Sequence, residues 1–216
     1  MRRALAATLT SLGVFLSTAA AQSPGDSLTP RHPGNGITVL LPASWHPLDD
    51  SQRAEVSRIT DTLLTNAKDS AIRASMQAGR PITLLQEISP AGASPGVSLN
   101  VAPSPGATRT TFDGVSPQDV AEALAQLCPS IGSIVAQMQA RLISCDRAVT
   151  DQADGHTLAV THLVRSGPTG FVTMWLAQYP DKDVVYTLTL SAPQAEEARY
   201  QPLFQQIWRS FTIDGS

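Results

Sequence analysis

Few residues in this 216-residue chain offer chemistry: Cys128 and Cys145, the four histidines His32, His46, His156 and His162, and scattered carboxylate pairs. A zinc site needs three or four ligands at workable spacing. The two cysteines stand 17 positions apart with no histidine close in sequence, so they supply half a site at most. A redox C-x-x-C is absent. His156 and His162 fall six apart in a presumed strand, on one face but about 20 Å from each other, too far to share a metal or a proton. His162 shares that face with Leu158, Val160 and Val164 and reads as a core histidine. No G-x-S-x-G elbow, phosphate loop, H-E-x-x-H or D-x-D-x-D-G calcium loop occurs. The acid pairs Asp49-Asp50, Asp181/Asp183 and Glu196-Glu197 sit at caps or turns, where solvated carboxylates are ordinary. No catalytic, cofactor or metal site is therefore expected. One row could bind a partner: Phe171, Trp175 and Tyr179 alternate along one strand face with Thr173 and Ala177. Such a row either forms core or faces a groove, and aromatic residues anchor interfaces.

Those residues need elements to hold them. "ITVLLPASWHPL" (37–48) reads as a strand stopped by Pro42, with Trp45 as a core anchor. Asp49 or Asp50 caps a long amphipathic helix, its stripe Val56, Ile59, Leu63, Ala67 and Ile72, ended by Gly79 and Pro81. "PITLLQEIS" (81–89) and "GVSLNVAP" (96–103) read as strands across a turn-rich link. Ser116, Pro117 and Asp119 open a second helix, with apolar positions from Val120 to Leu142 spaced alternately four and three. Pro129 interrupts it without breaking the phase, which predicts a kinked helix or two abutting ones. Segments 156–165, 170–179 and 184–192 form an antiparallel meander, followed by a last helix with Leu203, Ile207 and Phe211 on one face.

The N-terminus sets the compartment. Arg2-Arg3, an apolar run from Ala4 to Ala20 and the small cluster Ala19-Ala20-Ala21 have the layout of a secretory signal peptide, cleaved after Ala21. Residues 22–36 carry Pro, Gly and Ser without an apolar period and read as a flexible leader. Residues 37–213 form a single domain. No later segment has about 18 consecutive apolar residues, so no membrane insertion is expected after cleavage. Losing two arginines and no acid takes the formal charge from −3 to −5, which gives no broad pull on nucleic acid or anionic lipid. In an exported protein, two cysteines favour a disulfide. Bridged Cα atoms lie within about 7 Å, yet a straight helix over 129–141 spans about 18–20 Å. The bridge closes only if that helix ends early or bends, or if the next strand folds sharply back. It would then fasten a helix to the strand that begins near Ile143.

The order of elements and three segments, "ITVLLPASW", "VVYTLTLSAP" and "FQQIWRSFTI", resemble the PsbP-like superfamily, which includes DcrB-like periplasmic proteins. That resemblance implies an α+β fold: an α/β/α sandwich around a mainly antiparallel sheet. Its members are mostly accessory and binding proteins with no shared catalytic constellation, so no residue role carries over. The expectation is a non-enzymatic, periplasmic or secreted protein with a protein partner, such as an immunity or inhibitor protein. Two alternatives remain. A carrier of a small apolar ligand predicts a large apolar pocket. A hydrolase predicts His162 or His156 beside an acid and a hydroxyl in a cleft.

Overall fold

A computed structural model describes residues 26–54, 56–58, 82–90, 92–137, 140–167 and 170–214. The expected signal peptide and all but the start of the long helix after Asp49 lie outside the described residues. At that start, Asp49 Oδ1 accepts the Gln52 amide (2.8 Å) and Gln52 Oε1 accepts the Asp49 amide (2.9 Å). Two backbone donors are thus satisfied reciprocally, as the sequence predicts for a helix cap.

Among the described residues, ten strands and two complete helices follow in chain order. They are β1 (Leu28–Gly34), β2 (Ile37–Pro42), β3 (His46–Pro47), β4 (Ile82–Ser89), β5 (Gly92–Pro103), α1 (Pro117–Gln137), β6 (Leu142–Ala153), β7 (His156–Gly167), β8 (Gly170–Asp181), β9 (Val184–Pro193), α2 (Glu197–Arg209) and β10 (Thr212–Ile213). Seven strands make one antiparallel sheet in the order β3-β4-β5-β9-β8-β7-β6. A smaller sheet, β1-β2-β10, lies with α2 over one face of it. α1 lies on the other face, over the β6 end.

Period-two alternation decides which residues meet. On the α2 side, Trp175, Leu188, Leu190 and Leu99 pack under Phe204, Ile207 and Trp208, with Val39 and Leu41 of the small sheet. On the α1 side, Leu163, Val172, Met174 and Leu176 meet Leu124, Ile131 and Val135. Beyond α1, the same sheet face turns polar: Ser98 and Asn100 of β5 lie beside Thr187 and Thr189 of β9, all buried. The architecture is an α+β sandwich with a mainly antiparallel sheet, as the sequence predicts.

Two local readings change. Leu28–Gly34, expected to be flexible leader, forms β1 against β2. Pro30 and Pro33 are tolerated there because β1 is an edge strand. Arg31 then anchors it, its Nε donating to the buried Glu87 carboxylate of β4 at 2.9 Å. Of the two forms expected for the second helix, the pair of abutting helices gives way to one, since Pro129 sits inside a continuous α1.

Candidate functional site

The disulfide forms. Cys128, halfway along α1, bonds Cys145 of β6 with Cα atoms 5.8 Å apart. The distance problem is solved by the chain's return. α1 ends at Gln137, and β6 runs back beneath it, burying Leu142 against Ile131 and Val135.

The aromatic row does not act as a unit. Trp175 is 4% and Tyr179 7% exposed, so the reading of these two as partner-facing gives way to core. α2 covers them: Trp175 lies 5.7 Å from the Trp208 ring, and the Tyr179 hydroxyl donates to the Trp208 carbonyl. Burial, with Asp151 nearby, pushes the Tyr179 phenol well above its ordinary value of 10.0. Phe171 is 53% exposed because it stands past the last β8–β9 pair, Val172 with Pro193.

His162 meets both an acid and a hydroxyl. Its Nε2 is 2.8 Å from Thr173 Oγ1 and 3.1 Å from Glu197 Oε1, and its ring packs 4.3 Å from Trp175. A relay needs the hydroxyl on one ring nitrogen and the carboxylate on the other. Here both partners use Nε2, and Thr173 is 0% exposed, so no substrate reaches its oxygen. The arrangement ties the start of α2 to the sheet. His32 contacts Thr38 Oγ1 at 3.0 Å, and His46 contacts the Pro47 carbonyl at 3.1 Å. Among the described residues no three His, Cys, Asp or Glu side chains gather as a metal site.

Two features remain as sites. The first is a small, half-open pocket at the end of the molecule where the β6–β7 and β8–β9 turns meet β10. Leu158, Tyr179, Phe211 and Ile213 line its floor, and Arg109, Asp154 and His156 its rim. Arg109 Nε donates to Asp181 at 2.9 Å, its Nη2 donates to the Ile213 carbonyl at 3.3 Å, and its Nη1 stands 3.9 Å from Asp154. Sequence reasoning places Asp181 at a turn but misses Arg109, whose partner is 72 positions away. The Asp154-Gly155 pair was a legible hairpin signal, and both residues adopt positive φ (52° and 73°).

The second feature is the outer edge of β6. This twelve-residue strand, LISCDRAVTDQA, ends the large sheet and contains neither lysine nor proline. Ile143 is 46% and Val149 41% exposed. The other edges are blunted. β3 has two residues, one of them Pro47, β10 has two, and β1 carries two prolines.

No family model and no curated protein matches the sequence. Solved structures do. The solution structure of cyanobacterial PsbP (CyanoP) from Synechocystis sp. PCC 6803 is 14% identical, covering 90% of this chain and 98% of that one, with a TM-score of 0.53. LpqN, involved in cell envelope biogenesis of Mycobacterium tuberculosis, is 16% identical, covering 87% and 90%, with a TM-score of 0.39. A Pseudomonas aeruginosa protein of unknown function is 10% identical, covering 88% and 99%, with a TM-score of 0.37. At 14% identity over nearly the whole of both chains, the likeness to CyanoP is one of fold, and the chain has the PsbP-like fold.

Proposed function

We propose that this is an exported, non-catalytic binding or accessory protein of the bacterial periplasm that works by receiving a segment of another protein along β6. The observation that carries this reading is the outer edge of β6, which pairs with no other strand among the described residues. A sheet edge presents unpaired N–H and C=O groups, and natural proteins usually blunt long ones with prolines, charges or short strands. This chain shortens its other edges or breaks them with proline, whereas the twelve-residue β6, despite Asp146, Arg147, Asp151 and two register shifts around Ser144, pairs regularly with β7 from Arg147 to Ala153 and leaves Ile143 and Val149 exposed. An extended segment can add there by backbone hydrogen bonds, its alternate side chains reading the exposed apolar positions. The disulfide at Cys145 pins the strand to α1, so little order is lost on binding. Export is supported by the residue 1–21 pattern and by the disulfide, which persists in oxidising compartments. The hydrolase alternative loses its His162 version at the buried Thr173. The carrier alternative meets a pocket whose rim is charged.

The test is a quantitative pull-down from periplasmic extract with tagged protein and with an Ile143→Lys/Val149→Lys variant. The expected result is one stoichiometric protein retained by the first and lost with the second. An empty pull-down removes the binding reading. A partner held equally by both moves its site away from β6.

A further inference from the structure

The outer edge of β6 can meet its own copy. From Arg147 to Ala153 the strand pairs in unbroken register with β7. On the other side no strand pairs with it among the described residues. An edge of this kind invites aggregation unless something covers it. The opposite edge of the same sheet, β3, has two residues, one of them Pro47. A head-to-tail stack of copies therefore finds no matching edge. The pairing that remains is β6 on β6, which closes as a two-fold dimer and does not propagate.

Symmetry restricts that pairing further. A two-fold axis perpendicular to the sheet makes the strands antiparallel and keeps every residue on its own face, so one residue must meet its own copy. Arg147, Val149 and Asp151 stand opposite His162, Val160 and Leu158 of β7, on the face toward α2. An axis at Asp146 or Arg147 sets like charges directly opposite, which is destabilising. An axis at Ala148 sets Val149 against Arg147, and one at Thr150 sets it against Asp151. An axis at Val149 sets valine on valine and the position of Arg147 in each copy opposite Asp151 of the other. Apolar β-branched pairs and opposite-charge pairs both stabilise directly opposed positions, and of these registers this one supplies both. Val149 is 41% exposed, so the axis residue has apolar surface to bury. Asp151 is held from its own chain by Trp208 at 2.8 Å and Arg209 at 2.9 Å, which fixes the carboxylate before a second copy arrives.

We infer that two copies of this chain join edge to edge through β6 in the register centred on Val149, making one continuous antiparallel sheet. The inference rests on the reading of β6 as a receiving edge and names a second copy as its resting occupant. It also supplies a regulation of that edge. A partner segment and the second copy compete for the same backbone groups, so binding the partner takes the dimer apart.

The experiment is sedimentation velocity of the exported, disulfide-bonded protein over a concentration series, with Val149→Lys as the comparison and far-UV dichroism to check that this variant keeps its fold. The expected result is a reversible monomer–dimer equilibrium, with association about tenfold or more weaker in the variant because like charges then face each other across the axis. A second readout is independent of that variant. Under mild oxidation Val149→Cys should be trapped as a covalent dimer, since directly opposed Cβ atoms lie within disulfide reach. Thr150→Cys should not, because that position stands opposite Ala148. A monomer at every concentration, a dimer unaffected by Val149→Lys, or linkage through position 150 in place of 149 overturns the inference. The two readings of β6 fail separately. A monomer whose partner is still lost with Ile143→Lys/Val149→Lys removes the second copy alone, and a Val149-centred dimer with an empty pull-down removes the partner alone.

Discussion

Asp151 shows what a single side chain holds together. It stands on β6, yet it accepts the Trp208 indole N–H at 2.8 Å and the Arg209 Nε–H at 2.9 Å, both from the end of α2. Burial raises its pKa, but the bonds from Trp208 and Arg209 outweigh this and hold the carboxyl below its ordinary 3.8. The sign follows from linkage. A carboxyl with a lowered folded value adds stability above its unfolded pKa, and that stability is lost as pH falls through the folded one. Asp151→Ala also leaves the indole N–H without its acceptor, at about 1–3 kcal/mol. Urea denaturation should show that loss at pH 7 and a narrower gap between the two proteins below about pH 4. An equal gap at both pH values would remove the charged role of Asp151. None of this was legible locally, since the partners lie 57 and 58 positions apart.

At the scale of elements, the sequence announces α1 well. Ser116 and Asp119 exchange backbone hydrogen bonds, 3.2 Å to Ser116 Oγ and 3.1 Å to Asp119 Oδ2, as the S-P-Q-D pattern implies. Val120, Leu124 and Ile131 of its expected stripe are buried on the sheet, whereas Leu142, expected on the helix, lies on β6 and Val135 is the last described buried residue of α1. What spacing could not show is that β6 returns under the helix and brings Cys145 to Cys128. The bridge closes a loop worth about 3 kcal/mol by the chain-entropy estimate. The Cys128→Ser/Cys145→Ser protein should lose about that much stability, and hydrogen exchange should quicken in α1 and β6 before the rest of the sheet. Uniform exchange across the sheet would show that the bond acts only through the unfolded chain.

At the scale of the whole molecule, the small sheet and the large one are joined by a clamp. Arg31 of β1 reaches the buried Glu87, and its Nη2 also donates to the Trp45 carbonyl at 3.2 Å. Arg31→Met strands that carboxylate in the interior and should cost about 3 kcal/mol, read by chemical denaturation. Tryptophan fluorescence and far-UV dichroism should still give one coincident transition, because both sheets share the Phe204–Trp208 core. A separate early transition would make the small sheet an independent unit. The sequence by itself determined the order of elements from β4 through α1 to α2, the caps at Asp49 and Ser116, the polar and apolar faces of β5 and the sandwich class. Those depend on periodicity and on interactions within a few residues. The tertiary structure alone decided that Trp175 and Tyr179 are core while Phe171 is not, that Leu28–Gly34 is a strand, and that Arg109 pairs with the buried Asp181 and lines a pocket with Asp154. Each of these depends on which distant element covers a residue, and long-range packing and ion pairing leave no periodic trace along the chain.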